Sequence, residues 1–182
     1  MMLAKIVADN LPELETRKGS FPLEELKRVA LAQPQPLDFA SALRGDHIQL
    51  IAEVKKASPS RGIICPDFDP VAIAQSYASN GASAISVLTE SRYFQGSLDH
   101  LKDINRALGN KKPPLLRKDF IFDPYQIYES RAYGADALLL IVAALSQEQL
   151  HGLLSLSHSL GLKCLVEVHH KTEVEKALLS GA

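Results

Sequence analysis

Tyr133-Gly134-Ala135-Asp136-Ala137-Leu138-Leu139-Leu140-Ile141-Val142 is the stretch that decides the fold. A helix reaching Tyr133 stops at Gly134, and Ala137 to Val142 then runs as an apolar strand without polar alternation. A strand that is apolar on both faces belongs in a parallel sheet covered by helices. The same helix–Gly–strand junction recurs at Gly81-Ala82 and Gly161-Leu162 and begins again at Gly181-Ala182. The helix starts repeat as well. Asp69-Pro70 and Asp123-Pro124 each place an N-cap carboxylate before a proline at the first helical position, and Ser146 suits the N-cap of another helix.

Outward from these junctions the sequence predicts five strands, beginning at Ile51, Ala84, Leu115, Ala137 and Lys163, each followed by a helix. No Gly-rich dinucleotide loop follows the first strand. Polar residues near the ends of several strands suit the mouth of a (βα)8 barrel, where the active site lies. The strand ends offer Glu53, Lys55, Ser86, Lys118 and Glu167. A complete barrel takes about 250 residues. The expectation is therefore an α/β chain of the (βα)8 TIM-barrel class with strands one to five in residues 48–182, either part of a longer polypeptide or a truncated product. Residues 1–47 are expected to form a helical extension. Leu3, Ile6 and Val7 have helical spacing, a second helix follows Pro22 and ends before Pro34, and Asp38 to Leu43 suit a further turn.

Composition narrows the function. The chain is 46% hydrophobic and 23% charged with a net charge of −1, as in an ordinary soluble domain. That balance provides no general attraction for nucleic acid or an anionic membrane, and no apolar run is long enough to span a bilayer. Asp9, Glu13 and Glu15 fall where a signal peptide needs an apolar core. Cys65 and Cys164 match no metal or redox spacing, so reduced thiols in a cytoplasmic protein are expected.

The chemistry gathers at strand ends. In Ile51-Ala52-Glu53-Val54-Lys55, Glu53 and Lys55 share one strand face, as an acid/base site or as a structural ion pair. Lys118 shares a face with Leu116 and Phe120 and is compatible with a general acid, a Schiff-base nucleophile, a phosphate anchor or a solvated loop lysine; Arg117 and Asp119 point toward the helix layer. Glu167 lies among Leu165, Val166 and Val168, so its ionised form calls for a nearby cation, and Lys55 and Lys118 are the candidates. Adjacent His169 and His170 face opposite ways, which argues against a metal site, and His47, His100, His151 and His158 are expected at the surface. Tyr93-Phe94 suit either stacking on an aromatic substrate or loop packing.

Taken together, Glu53-Val54-Lys55-Lys56-Ala57-Ser58-Pro59-Ser60, Leu88-Thr89-Glu90 with Tyr93-Phe94-Gln95-Gly96-Ser97, Leu116-Arg117-Lys118-Asp119-Phe120 and Leu165-Val166-Glu167-Val168-His169 closely resemble the indole-3-glycerol phosphate synthase family of tryptophan biosynthesis. The resemblance implies a carboxy-lyase without cofactor or metal. Its substrate is a phosphorylated, anthranilate-derived small molecule, 1-(2-carboxyphenylamino)-1-deoxyribulose 5-phosphate, converted to indole-3-glycerol phosphate. It implies Lys118 as general acid, Glu167 and Glu53 as acid/base carboxylates, Lys55 as a contact to the anionic groups, and Ser58, Pro59, Phe94 and Phe120 as pocket lining. The last three βα units of the family pattern are missing, so the expectation is low activity alone and association through the open barrel edge. The alternatives are a different phosphate-binding barrel enzyme, which would lack the Glu-x-Lys-x-x-Ser-Pro-Ser order, and a non-catalytic fragment that pairs with a partner half.

Overall fold

The computed structural model describes residues 2–109 and 112–182. Its centre is a parallel sheet whose strands lie side by side in chain order: β1 (Ile51–Val54), β2 (Ala84–Leu88), β3 (Leu115–Lys118), β4 (Ala137–Ile141) and β5 (Lys163–Glu167). Each strand is followed by a helix on the outside: α4 (Pro70–Ser79), α5 (Leu98–Leu108), α6 (Pro124–Ala132), α7 (Gln147–Ser159) and α8 (Lys171–Leu179). This is the predicted βα repeat. The N-caps are as read from the sequence: Asp69 accepts from the backbone of Val71 and Ala72, and Asp123 and Ser146 each form a capping box. Gly134 ends α6 with a φ of 87°, a left-handed conformation that costs glycine nothing.

Register assigns every strand side chain to a face. Glu53 pairs with Ser86, Ser86 with Leu116, Leu88 with Lys118, Leu116 with Ala137, and Ile141 with Glu167. Alternation from these pairs puts Ile51, Glu53, Ser86, Leu88, Leu116, Lys118, Leu139, Leu165 and Glu167 on the concave, interior face. Val54, Ile85, Val87, Leu115, Leu138 and Leu140 pack outward against the helices in two apolar clusters. β1 and β5 are the sheet edges, and beside them Leu50, Leu165, Val174, Leu178 and Leu179 are exposed.

The extension has three helices, α1 (Met2–Ser20), α2 (Leu23–Leu31) and α3 (Phe39–Ala42). α1 continues through Pro12, longer than the broken pattern in the sequence suggests. Leu14 and Leu26 pack with Tyr125 of α6, whose hydroxyl donates to the carbonyl of Phe21 at 2.9 Å. The turn expected at Asp38 is α3, and its Phe39 packs under the sheet with Ala84, Leu116 and Ala137, closing the bottom of the interior. Asp136 joins the same end. It accepts from the backbone N–H of Leu37 and of Leu115, both at 2.8 Å, and pairs with buried Lys112.

Candidate active site

Both strands that carry the central charges run out at the same end of the sheet. β1 delivers Glu53 and, one step beyond the strand, Lys55; β3 ends on Lys118. The Lys55 ammonium donates to Glu53 at 2.6 Å, and the Lys118 ammonium stands 3.9 Å from the other oxygen of the same carboxylate. Glu53 is thus a carboxylate between two ammoniums. All three side chains are about one-third exposed (31%, 33% and 32%), so they lie on an open face rather than in a sealed core. Beneath them Ser86 is buried, and its hydroxyl has no hydrogen-bond partner among the described residues. The sequence pattern put Ser86 near a strand end; it stands mid-strand, in register with Glu53.

Glu167 reaches the same rim from β5 with a different partner. Instead of Lys55 or Lys118, it pairs with the His169 ring at 3.0 Å. The expected lysine counter-ions are not there because β3 and β5 are separated by β4. His169 lies two residues on and therefore shares the Glu167 face. The sequence reading weighed this histidine as a metal ligand, argued against that, and gave it no partner; the i, i+2 spacing to Glu167 was the available signal. No group of three or more metal-ligating side chains with suitable geometry occurs among the described residues.

The aromatic candidates come from two loops. Phe94 follows β2 and Phe120 follows β3, and their rings lie 6.2 Å apart at 41°, an ordinary tilted aromatic pair. The Phe120 loop is set by its neighbours: Asp119 accepts from the Phe120 N–H at 2.8 Å, and the Gln126 amide donates to the Phe120 carbonyl at 2.9 Å. Ser58 and Pro59 belong to a small hairpin that follows β1 and pairs Ala57 with Ile63 and Ser58 with Gly62. Ser58 is half-buried and Pro59 exposed, and neither hydrogen-bonds Glu53, Lys55 or Lys118 among the described residues.

On the far side of β3 lies a second ionic system. Arg117 is fully buried, as its outward register requires, and donates to Asp119 at 2.8 Å, to the Gln126 carbonyl at 3.0 Å, to Thr89 at 3.1 Å and to Glu129 at 3.4 Å. Glu129 in turn accepts from Arg17 of α1 at 2.7 Å. The other candidates are quieter. Burial pushes the Cys164 thiol up to about 11, which leaves little reactive thiolate. His47, His151 and His158 are exposed as expected, but His100 is partly buried against Phe68, and burial holds its ring below the ordinary histidine pKa.

A parallel βα sheet whose strand ends converge acids, ammoniums and aromatic rings on one open face defines an enzyme of the barrel class, with its site at the C-terminal rim. Comparison with known proteins narrows the class. The family model described as indole-3-glycerol phosphate synthase matches residues 3–182. A protein of that name from Dehalococcoides mccartyi is 64% identical over the whole chain, which covers 71% of the relative's length. Another from Roseiflexus sp. is 56% identical, again over the whole chain and 69% of the relative. One from Mycolicibacterium smegmatis is 49% identical over the whole chain and 65% of the relative. The chain belongs to the indole-3-glycerol phosphate synthase family.

Proposed function

We propose that the site serves the ring closure, decarboxylation and dehydration that turn 1-(2-carboxyphenylamino)-1-deoxyribulose 5-phosphate into indole-3-glycerol phosphate. The observation that carries this reading is Lys118 beside a carboxylate already engaged by a second ammonium. The ring carbon bearing the carboxylate attacks the ketone carbon of the sugar, and the ketone oxygen gathers negative charge as the new bond forms. Lys118 donates a proton to that oxygen. Carbon dioxide then leaves and its bonding electrons restore the aromatic ring; the hydroxyl made from the ketone leaves as water, with loss of a proton, to complete the indole. An ammonium fixed at the developing oxyanion lowers the barrier by position and by field.

The geometry supports a division of labour. Glu53 holds Lys55 and Lys118 in one cluster, so its main work is to aim the two cations. Lys55 faces the anionic groups of the substrate. Glu167, paired with His169 and not with a lysine, is the carboxylate placed to move protons during dehydration. Phe94 and Phe120 receive the aromatic ring.

In barrels of this class the phosphate is held by loops after strands seven and eight, which are not among the strands described here. The test is product formation by the 182-residue chain, alone and with a second chain carrying the remaining βα units of the Dehalococcoides mccartyi relative. Indole-glycerol phosphate in the mixture and little from either chain alone is the expected result. A mixture that forms a stable complex yet yields no product would contradict the reading.

A further inference from the structure

The loop after β2 is organised around one buried carboxylate. Glu90 is 3% exposed, and no cation pairs with it among the described residues. A carboxylate in that position is expensive unless hydrogen bonds replace its water. Here they do: the backbone N–H of Tyr93 donates to Oε2 at 2.7 Å, that of Phe94 to the same oxygen at 3.0 Å, and that of Arg92 to Oε1 at 3.2 Å. The Glu90 carbonyl accepts from the Gly96 N–H at 2.7 Å and closes the ring. Burial still holds the Glu90 carboxyl above the usual carboxylate range, against the pull of the three N–H groups.

The backbone of this ring is tightly specified. Gln95 takes a φ of 51°, alone among the described non-glycine residues in the left-handed region. At Gly96 an added Cβ would sit 2.4 Å from the Leu88 carbonyl oxygen, so the chain folds back directly onto β2. The outer side of the loop is anchored to α1. The Ser91 hydroxyl donates to Glu13 at 2.6 Å, and the Tyr93 hydroxyl pairs with Asp9 and accepts from Lys5 at 3.0 Å. Phe94 itself is half-buried, with its ring against Phe120.

We propose that Glu90 is a positioning residue for substrate binding: its carboxylate ties residues 92–94 into the ring that presents Phe94 to the aromatic part of the substrate. Its identification of the ligand as a carboxylated anilino sugar phosphate rests on the function proposed above; the loop-capping role does not. Every side-chain hydrogen bond of Glu90 goes to this loop, so its removal changes the aromatic wall and leaves the Lys118 cluster in place.

The test uses Glu90→Gln and Glu90→Ala. In the 182-residue chain, amide exchange at Arg92, Tyr93 and Phe94 is expected to accelerate by about tenfold or more, in line with the loss of charge-assisted bonds, while α5 amides keep their protection. The nuclear Overhauser contact between the Phe94 and Phe120 rings is expected to weaken. Glutamine keeps one acceptor and should fall between alanine and the native residue. In the two-chain assembly, Glu90→Ala is expected to raise KM about tenfold with kcat within about threefold, and Glu90→Ala with Phe94→Ala should match Phe94→Ala alone. Unchanged exchange and an unchanged ring contact would overturn the proposal, as would KM effects that multiply in the double variant. If the native assembly turns nothing over, the functional reading fails, and the exchange and ring-contact measurements still decide the role of Glu90.

Discussion

Arg117 and Lys118 are neighbours in sequence and opposites in circumstance. Arg117 points into the layer between sheet and helices, where it is sealed from water and every donor direction meets a carboxylate, carbonyl or hydroxyl. Lys118 points into the barrel interior, one-third exposed, 3.9 Å from a carboxylate that already has a shorter partner. A buried guanidinium with all donors satisfied is a fixed structural charge. An ammonium left underpaired on an open face retains protons and field for a ligand. Under the proposed function the chemistry falls on one face of β3 and the architecture on the other.

That contrast breaks if interior residues turn out to hold the fold, or mantle residues to carry the reaction. The largest effect is expected on the interior. Glu167→Gln should lower turnover of the two-chain assembly by about 10²–10⁴-fold, the range for loss of a general acid or base, while melting stays close to native. Steady-state rates with calorimetry on the same samples check both halves. On the mantle side, Arg117→Met strands Asp119 without its buried cation and leaves Glu129 with Arg17 alone. The expected loss is about 3–5 kcal/mol of stability, read by urea titration. Neutralising Asp119 in the same chain (Asp119→Asn) should return part of that loss, because Asp119 is the buried carboxylate then left without a cation, whereas Glu129 keeps Arg17.

His169→Asn sharpens the interior picture with a smaller effect. The histidine touches Glu167 but lies at the rim, so a fall in kcat of about tenfold or less is expected, with a displaced pH–rate profile; an unchanged profile would remove His169 from the proton path. The smallest expected effect concerns Asp9, which the bonds from Lys5 and then Tyr93 hold below its ordinary carboxylate pKa. A depressed folded-state pKa means a stabilising contribution present above the ordinary value of 3.8 and lost as pH falls through the lower folded value. Acid titration of the native chain against Asp9→Asn should show the two stability curves converging only at the acid end.

Much of this was legible in the sequence because repeating features carried it. Aspartate before proline at two helix starts, and glycine after the helix followed by an apolar run at several junctions, recur along the chain, and each has a local physical cause. The faces of Arg117 and Lys118 followed from strand alternation alone. The partner of Glu167 did not. Choosing between a lysine two strands away and a histidine two residues away needs the register of the whole sheet, and only β4 standing between β3 and β5 decides it. Glu90 was passed over for a similar reason: its acceptors serve backbone N–H groups, and no side-chain pattern announces them. Asp136 sits inside the stretch that reveals the fold, yet its role in joining Leu37, Leu115 and Lys112 depends on segments far apart in the chain.

The most direct test of the account is Lys118→Met, measured in the two-chain assembly for indole product and for melting temperature together. The account predicts turnover lowered by about 10²–10⁴-fold with melting close to native, because Lys118 is one-third exposed and carries no buried network. Turnover within a few-fold of native, or a loss of turnover that only follows a collapse in melting temperature, would contradict the assignment of the chemistry to the interior face of β3.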